Sequence, residues 1–103
     1  MELNVKHMGN RVRFEIAGII DQQGAEVLKN NFGKLDISRV KELVLDFDKV
    51  RYIGGSGVGK LLMFYKKMTT NGGKLHIEND PGIFHELLTI TKTDTVLSVY
   101  RNA

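Results

Sequence analysis

The segment Gly54–Lys60 has the spacing that comes nearest to a known chemical task. It reads GGSGVGK and so fits the pattern G-x-x-x-x-G-K of phosphate-binding loops. A nucleotide-hydrolysing loop needs Ser or Thr after the lysine to hold magnesium, and Leu61 stands there. The apolar stretch that ends in an acid, Leu43–Asp46, precedes the glycines instead of following them. The pattern therefore disfavours an NTPase and leaves a small-ligand or nucleotide-binding module as a weaker alternative.

A tight turn from a strand into a helix is the simplest interpretation of the same glycines. It would use positive φ angles and close backbone packing where these are needed. Ser56 plays no part in that interpretation. The nucleophile elbow G-x-S-x-G is not met either, because Val58 occupies the place of its second glycine. We therefore predict no catalytic residue and no enzymatic activity.

Acidic and histidine side chains give a weak signal for a metal site. Asp46 and Asp48 lie two apart on a strand and so face one side, but we expect Asp48 to begin a turn and Asp46 to accept from loop backbone N–H groups. His7, His76 and His85 fall in three separate elements, and the chain has no cysteine. The sequence predicts neither a metal site nor a cofactor.

Alternating apolar residues predict the strands that would carry these residues. Residues 2–7 and 11–16 form a hairpin turned by Gly9–Asn10. The segment Glu42–Asp48 is apolar on both faces over part of its length, which is typical of a strand covered on both sides. Two further strands are predicted around residues 74–78 and over the sequence TVLSVY, residues 95–100.

Helical spacing predicts three helices between the later strands. Asp21 serves as the N-cap of the first, which stops at Gly33, and the third begins at Pro81. The second ends at Asn71–Gly73 and carries an apolar stripe of Val58, Leu61, Leu62, Tyr65 and Met68. A helix between successive strands requires right-handed crossovers and parallel neighbours. We predict an α/β fold: one domain over residues 1–103, a mixed sheet of about five strands with helices packed on it.

Composition limits the class of protein and its partners. The chain has 103 residues, with 15 Lys and Arg against 12 Asp and Glu, and Lys66–Lys67 is its sole adjacent basic pair. Because the cations are scattered, no nucleic-acid-binding stripe is expected. The apolar runs are too short to span a membrane, and the start MELNVKH lacks the apolar core of a signal peptide. With no cysteine, the sequence favours a reducing compartment, most simply the cytoplasm.

The stretch Leu43–Ile53, followed by Gly54–Gly59, resembles the signature of STAS domains, the anti-sigma factor antagonists. In that family a hydrophobic strand leads into I-D-S-S-G-[LV]-G. The resemblance extends to Gly18–Asp21, which is similar to the family's strand-to-helix segment, and to Gly72–Leu75, which is similar to its G-G-x-L entry into a strand. Residues 84–88 and 95–97 resemble its C-terminal helix and strand. Nearly the whole chain is covered.

This resemblance implies a phosphorylation-controlled interaction domain. In such proteins the unphosphorylated domain binds an anti-sigma factor that is itself a serine kinase, and so frees the sigma factor for transcription. Phosphorylation of a serine ends the interaction, and a protein phosphatase restores it. From the resemblance together with the composition, we expect a cytoplasmic signalling protein, a monomer or weak homo-oligomer without direct nucleic-acid or membrane contact. The partner-binding residues that the resemblance implies are Asp21, Gly54, Gly55, Ser56, Gly57 and Val58.

The switch itself departs from the family pattern. Alignment of Gly57–Gly59 with G-[LV]-G puts Gly54 where the Asp belongs and Gly55 where the phosphorylated serine belongs. Ser56 then matches the second serine. Either Ser56 has become the phosphoacceptor, or the domain binds its partner without this switch. A non-switched scaffold subunit, self-associating through its sheet edge or helices, is the alternative function.

Overall fold

The computed structural model describes residues 1–80 and Gly82. In this part of the chain four strands and two helices follow one another as β1 (Glu2–Met8), β2 (Arg11–Ile20), α1 (Gln22–Gly33), β3 (Glu42–Ile53), α2 (Gly55–Thr70) and β4 (Lys74–Glu78). The sheet order is β1-β2-β3-β4, in which β1 is antiparallel to β2 and the other neighbours are parallel. The α/β fold with a mixed sheet is confirmed. The predicted third helix and last strand lie outside the described residues.

The N-terminal hairpin forms where the sequence predicts it. Met8 pairs with Arg11 across a two-residue turn, and Gly9 has a φ of 65°. A positive φ at the first of two central residues is the geometry of a type II′ turn, whose twist matches that of the flanking strands. Gly9 therefore fixes the register in which Leu3 and Val5 lie opposite Ile16 and Phe14.

Both helices pack on one face of the sheet around large aromatic side chains. The phenyl rings of Phe32 on α1 and Phe64 on α2 stack with centroids 4.3 Å apart. As predicted, Ala25, Leu28 and Phe32 of α1 are buried. Phe64 is missing from the predicted stripe, yet it is fully buried, whereas the predicted Leu62 and Tyr65 are only half-buried against the core. The buried face of α2 consists of Gly57, Val58, Leu61, Phe64 and Met68.

Strand β3 is longer than predicted, and Asp48 does not begin a turn. Arg11 pairs with Glu42 and Ile20 with Ile53, so 10 residues of β2 run beside 12 residues of β3. Two register shifts absorb the difference, the first of them beside Asp48. Each such β-bulge places two residues opposite one and lets pairing resume. The prediction for Asp48 was wrong because a bulge, not a turn, breaks the alternation.

The sheet face opposite the helices carries an ion-pair cluster centred on Arg13 of β2. One terminal guanidinium nitrogen lies 2.8 Å from Asp46 Oδ2 on β3, and the other terminal nitrogen lies 2.8 Å from Glu78 Oε1 on β4. Asp46 Oδ1 also accepts from the backbone N–H of Asp48 at 3.0 Å and from Asn79 Nδ2 at 3.1 Å. Asp46 therefore does find a backbone donor, as predicted, but within the strand. The cluster joins three strands on the face that lacks α1 and α2.

The ionised form of Asp46 is stabilised in the folded protein. Burial alone would raise the pKa of this carboxyl group, but the hydrogen bonds from Asp48, Asn79 and Arg13 outweigh burial and lower it. A lowered folded-state pKa means that the carboxylate adds to the free energy of unfolding above the unfolded-state pKa. This contribution is lost as the pH falls through the folded-state pKa.

We expect Asp46→Asn to lower the free energy of unfolding by about 1–3 kcal/mol at neutral pH, since charge-assisted hydrogen bonds are lost. The deficit should shrink below about pH 4, the ordinary pKa of aspartate, as the wild-type carboxylate becomes protonated. Urea unfolding across this pH range measures both effects. Asp48→Asn, on an exposed side chain two residues away, is the control and should change little. A deficit that is independent of pH would contradict the assigned role.

Candidate functional site

The starts of the two helices lie side by side at the carboxyl ends of β2 and β3, and this end of the sheet is called the functional edge below. Because β2 and β3 are parallel and Ile20 pairs with Ile53, both strands end at the same level. Asp21 follows β2 and is the N-cap of α1, and Gly54 follows β3 and is the N-cap of α2. The backbone N–H of Gly54 donates to the carbonyl of Ile20 at 3.0 Å, which ties the two helix starts together.

Asp21 closes the first turn of α1 as predicted. Its backbone is extended, and its Oδ1 accepts from the N–H of Gly24 at 2.8 Å. The side chain remains exposed to solvent. An N-cap aspartate satisfies one of the free N–H groups of the helix and adds about 1 kcal/mol to its stability. Asp21 is therefore a structural cap that also presents a carboxylate at this edge.

The glycine-rich segment forms the first turn of α2, not a phosphate-cradling loop. Helix α2 begins at Gly55, and the N–H of Val58 donates to the carbonyl of Gly54 at 3.1 Å. No side chain caps this end, and the first turn has no acidic residue. The strand-to-helix turn is confirmed, and it needs no positive φ because it consists of ordinary extended and helical backbone: the glycines of the described residues that have a positive φ are Gly9, Gly18, Gly72 and Gly82.

Close packing explains why residue 57 is a glycine. A Cβ atom on Gly57 would lie 2.7 Å from Ile53 Cγ1 and 2.8 Å from Ile20 Cγ2, well inside van der Waals contact. Gly57 therefore lets α2 approach the ends of both strands. By contrast, a Cβ atom on Gly55 or Gly59 would meet nothing within 4 Å.

The structure separates the predicted binding residues into exposed and buried ones. Asp21, Gly55 and Ser56 are exposed and Gly54 is half-buried, whereas Gly57 and Val58 are buried. Buried residues at the first turn of α2 set the position of the helix, so the exposed ones are those that a partner would reach. Their role in binding stays a prediction.

Ser56 lies in a shallow depression between the two helices. Residues from both helices line it: Gln22, Ala25, Glu26, Ser56, Gly59, Lys60 and Met63. Lys60 is one helical turn after Ser56, and its Nζ lies 3.8 Å from Glu26 Oε1. The structure gives the Ser56 hydroxyl no hydrogen-bond partner among the described residues, and the residue is exposed to solvent.

Two apolar residues beside the helix starts were not singled out as candidates. Ile19 and Tyr52 pair in register on adjacent strands and are 51% and 54% exposed. A Cβ atom on Gly54 would lie 3.5 Å from the Tyr52 ring, so the ring lies next to the second helix start. The sequence does contain a signal for these residues, because β2 ends in Ile19–Ile20 and β3 in Tyr52–Ile53. Successive side chains of a strand point to opposite faces, so one residue of each pair must point away from the core. Aromatic residues of this kind are frequent anchors of protein interfaces.

Among the residues that the structure describes, no three His, Asp or Glu side chains are grouped so as to hold a metal ion. Across the same residues, no helix combines the length and the apolar character that a membrane crossing demands.

Comparison with known proteins identifies the family. The model of the STAS domain matches residues 2–103. The chain belongs to the STAS domain family. SpoIIAA of Bacillus in its phosphorylated form is similar at a TM-score of 0.76 and 15% identity, with 87% of this chain and 83% of that chain covered. An anti-sigma factor antagonist from Mycobacterium paratuberculosis gives 0.74 and 20%, covering 92% of this chain and 80% of that one.

The same fold also occurs in other proteins. Mglu is similar at a TM-score of 0.70 and 22% identity over 78% of this chain, but this STAS chain spans only 20% of Mglu. A sulfate transporter family protein from Wolinella succinogenes gives 0.68 and 17%, covering 89% and 73% of the two chains. A search of the curated proteins returned no match. At these identities the solved structures establish the STAS fold alone.

We expect Gly57→Ala to lower the free energy of unfolding by about 1–3 kcal/mol, because the methyl group overpacks Ile20 and Ile53. Gly59→Ala, two residues later in the same helix and in open space, should raise it by about 0.5–1 kcal/mol through helix propensity. Urea unfolding of both variants beside wild type measures the opposite signs. Equal effects from the two substitutions would contradict the close approach assigned to Gly57.

Proposed function

We propose that this chain is an anti-sigma factor antagonist. It binds an anti-sigma factor of the serine-kinase type in the cytoplasm and so regulates sigma-factor-dependent transcription. The observation that carries the proposal is the pair of helix starts at Asp21 and Gly54, which lie side by side on a STAS fold with Asp21, Gly55 and Ser56 exposed. Similar solved structures that cover most of both chains bear the name of anti-sigma factor antagonists, which supports the proposal.

The binding face would combine a polar centre with an apolar border. Asp21, Gly55 and Ser56 are exposed and provide carboxylate, backbone and hydroxyl groups. Ile19 and Tyr52 stand beside it and supply the apolar area that usually dominates binding energy. Because the first turn of α2 has no acidic residue or side-chain cap, its free N–H groups favour a partner that offers acceptors there.

Phosphorylation of Ser56 would add negative charge to this face. A phosphate adds about −1.5 to −2 charges, and at a helix N-terminus it is stabilised by the macrodipole. Lys60, one turn on, is within reach of such a group, whereas Glu26 across the depression would repel it. A partner adapted to the neutral hydroxyl would then meet a bulky anion. Ser56 is our proposed phosphoacceptor, and a protein phosphatase would reset it.

We expect Tyr52→Ala and Ile19→Ala each to weaken binding to the cognate anti-sigma factor by about tenfold or more, since each removes apolar contact at the proposed face. Titration calorimetry with the two purified proteins measures the dissociation constants. Met8→Ala is the matched control because Met8 is as exposed as Ile19 but lies at the hairpin turn. Full affinity of the Tyr52 and Ile19 variants would remove this face from the interface. Absence of binding by wild type would overturn the function itself.

We expect intact-mass measurement after incubation with that kinase and ATP to show one added phosphate on wild type and none on Ser56→Ala. The double variant Gly55→Ser/Ser56→Ala is the positive control, because a serine fits the open space at position 55 and restores the family's usual acceptor. Modification of the double variant but not of wild type would show that the kinase is competent and that Ser56 is not its acceptor in this chain. That result would favour the non-switched scaffold.

A further inference from the structure

Strand β1 has a second hydrogen-bonding edge. Within residues 1–80 and 82 its sole strand partner is β2. Met8 and Arg11 close a two-residue hairpin, so they form a hydrogen-bonded pair, and alternate residues from Met8 back to Glu2 bond to β2. Leu3, Val5 and His7 therefore direct their N–H and C=O groups away from β2. An edge of this kind accepts a further strand.

The side chains of β1 are arranged in two rows. Leu3 and Val5 face the core and are only half-buried, so a further strand would cover them. Glu2 and Lys6 lie on the opposite face. Glu2 is exposed and has no ion-pair partner among the described residues, while Lys6 Nζ lies 3.3 Å from Glu15 Oε2 and the Lys6 side chain remains 54% exposed.

We propose that β1 pairs antiparallel with β1 of a second copy about a two-fold axis at Asn4. This register places Leu3 opposite Val5 of the second copy and Glu2 opposite Lys6 of the second copy, each occurring twice. The outward backbone groups of Leu3 and Val5 then form four hydrogen bonds across the axis. The two sheets join into one continuous sheet.

Charge selects both the occupant and the register. In an antiparallel pair, side chains directly opposite one another attract when their charges differ and repel when they are alike. Centring the axis on Val5 instead would place Glu2 opposite Met8 and Lys6 opposite Asn4. The axis at Asn4 gives Glu2 an opposite charge that it lacks among the described residues and gives Lys6 a second one besides Glu15. Both come from a strand of identical sequence, which is the self-complementarity that a two-fold interface requires.

This self-association is independent of the proposed partner face, since no residue of β1 belongs to that face. The paired segments are short, so the dimer should be weak and should depend on concentration. Screening of the paired charges by salt should weaken it further.

Sedimentation velocity over a range of concentrations at low salt tests the proposal. We expect wild type to show a monomer–dimer equilibrium, and Glu2→Lys and Lys6→Glu each to weaken dimerisation by about tenfold, because two like-charge pairs replace two opposite pairs. The double variant Glu2→Lys/Lys6→Glu should recover wild-type dimerisation. An equimolar mixture of the two single variants should form a mixed dimer. Lys29→Glu, an equal charge change on an exposed helix position, is the control and should leave dimerisation unchanged.

Wild type that stays monomeric at every concentration would overturn the proposal. So would single variants that dimerise as tightly as wild type, or a double variant that fails to recover. Circular dichroism melting of each variant confirms folding. Lys6 also lies beside Glu15, so Lys6→Glu could destabilise the fold. Glu2→Lys breaks no intramolecular ion pair of the described residues. If Lys6→Glu does not fold, Glu2→Lys alone decides the outcome.

Discussion

The close approach of α2 to the ends of β2 and β3 is the constraint on which the functional edge depends. It is made by the hydrogen bond from Gly54 to Ile20 and by the absence of a side chain at Gly57. For this approach to occur, both strands must end at the same level. The β-bulges of β3 provide that, since they absorb two extra residues before Ile53. Irregular strand geometry is therefore a requirement of the helix pairing and not a defect of the sheet.

The two faces of the sheet meet their packing needs by different means. On the helix side, stacked phenyl rings and aliphatic residues fill the space between α1, α2 and the strands. On the other side, Arg13 bridges carboxylates from neighbouring strands. Val44 is buried between Arg13 and His76 in register, so β3 is covered on both faces, as its apolar sequence predicts. Side chains of adjacent strands therefore help to cover this face.

Local signals made much of the fold predictable from the sequence. The Gly9–Asn10 turn, the Asp21 cap and the apolar face of α1 each depend on neighbours a few residues away, and all are confirmed. The extension of β3 through Asp48 was missed because a bulge and a turn interrupt a period-two pattern in the same way. At the site, the type and place of Ser56 were visible, but the role of Gly57 depends on Ile20, which is distant in the chain. The outward direction of Tyr52 likewise follows from pairing with β2.

The open space at Gly55 has a consequence for how this family diversifies. The backbone at Gly54 has ordinary angles for any residue, and neither Gly54 nor Gly55 is required by close packing. An aspartate at position 54 and a serine at position 55 could therefore be gained or lost by single substitutions, with no steric barrier from the core. Because Gly57 keeps the helix in place independently, the side chains at these two positions can change on an evolutionary timescale while the architecture that presents them is preserved.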